Sequence, residues 1–135
     1  MGTHTILIVE DEAIIAAAES QMLRQRGYGV TIARSGEAAV AAIRSRGEEI
    51  DLILMDINLG RGMDGAEAAR EILRERDIPI VFVSSLAEED IAARTRGIAA
   101  ARHVAKNGGD EALLASVEEA LRRRAGQPEI PALRA

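Results

Sequence analysis

Five short apolar runs, each followed by a longer stretch of helical periodicity, constrain this chain more than any other feature. The runs are Thr5–Val9, Tyr28–Ala33, Leu52–Met55, Ile80–Val83 and His103–Ala105, and all but the last are rich in β-branched or bulky apolar residues. Between them apolar residues recur every three or four positions, the spacing of one helix face. Glu12–Arg26 carries Ile15, Ala18 and Met22 on that spacing and stops at Gly27. Ser35 is placed to cap Gly36–Arg46, Ala66–Arg76 halts before Asp77 and Pro79, and Asp110 is read as the cap of a last helix through Arg124. Glu88–Arg96, polar and alanine-rich, is read as a further helix. Strands that alternate with helices in this way predict a parallel sheet covered on both faces. Strands one, three and four, unbroken in apolar character, are expected at its centre. Residues 1–125 form one unit, and 126–135, with two of the three prolines and no periodicity, read as a tail or the start of a linker.

Composition removes several function classes. With no cysteine there are no disulfides, thiolate metal sites or thiol nucleophiles, in keeping with a reducing, cytoplasmic setting. Seventeen basic against 22 acidic side chains give a net charge of -5, the wrong sign for a freestanding nucleic-acid binder. Tyr28 and Phe82 are the only aromatics, too few for base stacking. No apolar run approaches the ~20 residues of a membrane span, so neither nucleic acid nor membrane is expected as a direct partner.

In parallel α/β sheets, ligands bind beyond the carboxyl ends of the strands. Strand one ends in Glu10 and Asp11, strand three in Asp56, strand four in Ser84 and strand five in Lys106. If strands one and three are neighbours, three carboxylates crowd together and repel one another. A divalent cation relieves that, and a few hard oxygen ligands with room for water suit Mg²⁺. Asp56 then keeps an oxygen free to act as a nucleophile toward phosphorus. Lys106 would neutralise the phosphoryl charge and Ser84 would donate a hydrogen bond to it. Lys106 is the sole lysine beside 16 arginines, so a compact ammonium stands at the one strand end where a phosphate would need it. Leu86, two residues after Ser84, is expected to border the same pocket. Asp64, Glu12 and Asp51 are read as a turn or cap residue, a helix cap and a solvated turn, and His4 as a solvated residue far from His103.

The segments ILIVEDE, LILMDINLGRGMDG and PIVFVSS, with a later lysine, resemble the receiver domain of two-component response regulators over residues 4–124. The resemblance implies a CheY-like, flavodoxin-like (βα)5 α/β fold, doubly wound, with a five-stranded parallel sheet in the order 2-1-3-4-5 and helices on both faces. It implies Mg²⁺ bound directly by Asp11 and through water by Glu10, with Asp56 as phosphoacceptor and the Asn58 backbone carbonyl completing the metal shell. Ser84 and His103 fall on the two switch positions, and Lys106 on the lysine that pairs with the phosphate. His103 replaces the usual aromatic residue. Lys106-Asn107 replaces the usual Lys-Pro, so a trans bond is expected there, followed by freedom at Gly108 and Gly109.

The reading that follows is a phosphorylation-controlled interaction switch rather than an enzyme. A sensor histidine kinase or phosphotransfer protein would supply the phosphoryl group, and a downstream protein would read the altered surface. Within these 135 residues there is no space for an output domain after residue 124, so the chain reads as a single-domain regulator or an excised receiver. Two rivals stand beside this. A binding-only pseudo-receiver would keep the fold without being phosphorylated. An aspartyl-nucleophile phosphohydrolase would need an acid where Asn58 stands, together with a cap domain.

Overall fold

The computed structural model describes residues 3–60, 62–85, 92–98 and 102–124. Five parallel strands, β1 (Thr5–Val9), β2 (Gly29–Ala33), β3 (Leu52–Asp56), β4 (Ile80–Ser84) and β5 (Arg102–Ala105), lie in the order β2-β1-β3-β4-β5. Helices α1 (Ala13–Gln25), α2 (Gly36–Arg46), α3 (Gly65–Glu75) and α4 (Asp110–Arg124) cover the sheet. Within Glu88–Arg96, residues 92–94 form a helical turn; 86–91, Leu86 among them, lie outside the described residues, as do 125–135.

Alternation along the strands builds two cores. Leu7, Val9, Ile53, Met55 and Phe82 pack under Val40 and Ile43 of α2 and Ile72 of α3. The intervening Ile6, Ile8, Leu52, Leu54, Val81, Val83 and Val104 pack under Leu23 of α1 and Leu113, Val117 and Leu121 of α4. Every residue of β3 and β4 is buried, which is why these strands read as unbroken apolar runs.

The helix ends follow local chemistry. Ser35 Oγ accepts from the Ala38 amide at 3.0 Å, so α2 starts where a serine can satisfy an orphan donor. Asp64 and Glu67 form a reciprocal capping box at α3. Glu12 occupies the N-cap position of α1, but its side chain caps nothing. Asp110 is the first residue of α4 rather than its cap; Gly109, at φ 89°, turns the chain into that helix. Asp51 is more than a solvated turn, because its Oδ2 accepts from the Thr5 amide at 2.8 Å and ties down the start of β1. His4 Nδ1 lies 3.7 Å from the same oxygen. No described peptide bond is cis, Lys106-Asn107 included, and Lys106–Gly108 winds into a 3-10 turn.

Candidate functional site

The two-residue alternation that buries Ile8, Leu54 and Val104 on the α1/α4 side of the sheet continues to Asp56, the last residue of β3, and to Glu10 and Lys106 just past β1 and β5. These three side chains therefore meet. Lys106 Nζ lies 3.1 Å from Asp56 Oδ2 and 3.2 Å from Glu10 Oε1. Glu10 and Asp56 are almost fully buried, at 1% and 4% exposure. Asp56 Oδ1, the oxygen not bonded to lysine, accepts from the Asn58 amide at 3.1 Å. Glu10 Oε2 accepts from the Glu12 amide at 3.2 Å.

Asp11 completes an acidic trio. One carboxylate oxygen from each of Glu10, Asp11 and Asp56 lies within 4.8 Å of the others. Three hard oxygen donors converging from two neighbouring strand ends, with Asp11 partly open to solvent, suit a small divalent cation that retains water. Two glycines keep space around the trio. A Cβ at Gly65 would overlap the Asp56 carbonyl, so α3 starts against the end of β3 only because residue 65 has no side chain. Gly60, at φ 67°, sits where a Cβ would come within 2.9 Å of Asp11 Oδ2.

Burial pushes the Glu10 carboxyl up to about 7; the Glu12 amide opposes the rise and the charge of Asp56 reinforces it. Burial also works against the charged Lys106, yet its bonds to Asp56 and Glu10 hold its ammonium above the ordinary lysine range. Lys106 thus offsets part of the negative charge of the two buried carboxylates.

Ser84 is buried at the end of β4, one residue beyond Val83, the register partner of Asp56. His103 is not brought to the cluster. It has the opposite alternation from Val104, pairs in register with Phe82, and stacks on that ring at 5.9 Å between centroids. Its exposed imidazole meets Thr95, Nε2 lying 3.1 Å from Oγ1.

Three residues escaped the reading of the sequence. Glu19 of α1 lines a cavity of about 310 Å³ together with Lys106. Burial, then the charge of Glu10, pushes its carboxyl up to about 7, with Lys106 opposing. The available signal was an acid interrupting the inward stripe between Ile15 and Met22. Arg34, just after β2, braces the acidic loop by donating to the Glu10 carbonyl at 3.2 Å and the Asp11 carbonyl at 2.6 Å. Arg94 donates to Asn58 Oδ1 at 2.8 Å. Neither arginine has a local signature in a chain with 16 of them.

Comparison with known proteins agrees with this geometry. The family model described as response regulator receiver domain matches residues 6–118. The transcriptional regulatory protein PdtaR of Mycobacterium tuberculosis is 32% identical over 118 residues, 87% of this chain and 57% of the relative. The sensor kinase CckA of Brucella abortus is 36% identical over 92 residues, 67% of this chain and 10% of the kinase. The chain thus spans little more than half of one curated relative and a small part of the other. Among solved structures, the N-terminal domain of a response regulator/sensory box/GGDEF three-domain protein from Carboxydothermus hydrogenoformans superposes with a TM-score of 0.81. It is 40% identical, with 90% of this chain and 97% of that one covered. The chemotaxis protein CheY4 of Vibrio cholerae, 22% identical, shares the fold at a TM-score of 0.80, with 88% and 99% covered. With sequence, sheet order and acidic trio in agreement, the chain belongs to the response-regulator receiver family.

Proposed function

We propose that this chain accepts a phosphoryl group on Asp56 from a sensor histidine kinase or a histidine phosphotransfer protein and thereby switches a protein-binding surface. The observation that carries the reading is Lys106 seated between Asp56 and Glu10 with Asp11 alongside. An Asp56 oxygen attacks phosphorus, the bond from phosphorus to the donor nitrogen breaks, and that electron pair returns to the donor imidazole. Glu10, Asp11, Asp56 and the Asn58 carbonyl would hold Mg²⁺, which when bound supplies charge neutralisation for the transferred group. Lys106 pairs with the phosphoryl oxygens, and Ser84 donates its hydroxyl to one of them. The donor approaches over the first turn of α1, where Ile14 is 85% exposed. Movement of Ser84 and Lys106 then reshapes the surface over β4 and β5, with His103 as part of it, for a downstream protein. In this reading residues 1–125 are a cytoplasmic receiver that turns over no separate substrate, and 126–135 are a tail or linker.

Acetyl phosphate with Mg²⁺ is expected to add one acid- and base-labile phosphoryl group to the wild type and none to Asp56→Asn, read by intact mass. Equal labelling of both proteins would overturn the assignment.

A further inference from the structure

Asn58 stands at the mouth of the site. Its amide is bonded to Asp56 Oδ1, and its exposed side chain is held from outside by Arg94, whose Nη1 donates to Asn58 Oδ1 at 2.8 Å. Arg94 is itself anchored. Arg70 of α3 donates through Nη2 to the Arg94 carbonyl at 2.8 Å and to the Arg96 carbonyl at 3.0 Å. Thr95, buried between these two residues, is tied to His103. The backbone that carries Arg94 is thus fixed at three successive residues, and the guanidinium reaches the acceptor loop from a defined base.

The chemistry of an amide gives this contact a consequence. A carboxamide has two donor hydrogens and a single acceptor atom, Oδ1. Hydrolysis of an aspartyl phosphate consumes one water. The water oxygen bonds to phosphorus, the phosphorus–oxygen bond to Asp56 breaks, the carboxylate returns, and both water protons leave on dihydrogen phosphate. A group that orients the incoming water must accept a hydrogen bond from it. On the Asn58 side chain only Oδ1 can, its backbone carbonyl being assigned to the metal, and Arg94 fixes the rotation of that amide and draws electron density from the oxygen with a permanent cation.

We infer that Arg94 is a positioning residue that withholds the Asn58 side-chain carbonyl from the hydrolytic water and so prolongs the phosphorylated state. The inference rests on Asp56 being the phosphoacceptor. It assigns a timing role to a residue 36 positions away in sequence, carried by the turn after β4.

The test follows decay of the phosphorylated protein after the donor is removed, using ³²P-labelled acetyl phosphate and Mg²⁺ for loading. Arg94→Ala is expected to shorten the half-life about two- to tenfold, the range one net hydrogen bond spans when it is felt in a barrier. Arg94→Lys, which keeps a cationic donor, should retain most of the wild-type lifetime. Arg94→Ala should add nothing in an Asn58→Ala background. Arg70→Ala, which loosens the anchor without touching Asn58, should shorten the half-life in the same direction. An unchanged or longer half-life in an Arg94→Ala protein that labels normally would overturn the inference and leave the phosphoacceptor reading intact. The same shortening in the Asn58→Ala background would also overturn it. Failure of the wild type to label would take down both.

Discussion

The centre of the sheet and its β5 edge are held by different physics. All five residues of β3 are buried, Asp56 included, whereas β5 buries only Val104. The edge adds polar, partly exposed contacts: Thr95 with His103, Arg102 with Glu119 at 2.9 Å, and Arg70 with two carbonyls. Close packing fixes a carboxylate to within a fraction of an ångström, because neighbours on every side resist displacement. Exchangeable polar contacts, each contributing about 1 kcal/mol, let a surface change partners without unfolding. A receiver needs the first property where chemistry occurs and the second where the result is read.

Truncation should expose the contrast most strongly. Leu54→Ala in β3, at a side chain with 1% exposure, is expected to cost about 2–5 kcal/mol in urea denaturation. Val104→Ala at the edge should cost about 1.5 kcal/mol, two methyl groups at roughly 0.8 each. Equal losses would erase the distinction between centre and edge.

The next largest effect belongs to the acids. Glu10 and Glu19 have folded-state values raised from 4.5 to about 7, so the folded protein holds their protons more tightly than the unfolded chain does. Their contribution to stability is fully present below pH 4.5 and is lost as pH rises through about 7. Metal-free protein should therefore melt at a lower temperature at pH 7.5 than at pH 5, once other groups are controlled by Glu10→Gln and Glu19→Gln. Mg²⁺ at a hundred times its Kd should restore about 2.7 kcal/mol near neutrality. Asp11→Asn should abolish most of that gain. A melting temperature indifferent to Mg²⁺ at constant ionic strength would remove the metal site from the comparison.

The smallest effect should come from the edge. Thr95→Val deletes the hydroxyl that meets His103 and is expected to cost about 0.5–1.5 kcal/mol. Amide shifts should change along β5 and leave Asp56 in place, as read from heteronuclear NMR. A perturbation that spread through β3 would show that the two regions are not separable.

The sequence spelled out the buried half of this arrangement more fully than the exposed half. Hydrophobic period and turn chemistry located every strand to within a residue, and Ser35 and Asp64 marked helix starts through short-range bonds. Glu10, Asp11, Asp56 and Lys106 were legible because strand ends in a parallel sheet must converge. His103 lies on the strand where the sequence puts it, and alternation turns it to the face opposite Lys106. Arg34 and Arg94 depend on contacts between distant segments, and nothing in their local sequence separates them from surface charges; Glu19 left only the faint mark of an acid within the α1 stripe.

A single lysine among 16 arginines also makes the molecule chemically addressable. Acylating reagents need a neutral amine, and the carboxylates around Lys106 keep its ammonium protonated. Anything that draws Glu10 and Asp56 away from it changes how fast that one side-chain amine reacts. Covalent labelling at residue 106 thus becomes an occupancy gauge for the acidic trio, with no engineered probe and no second lysine to confuse the signal.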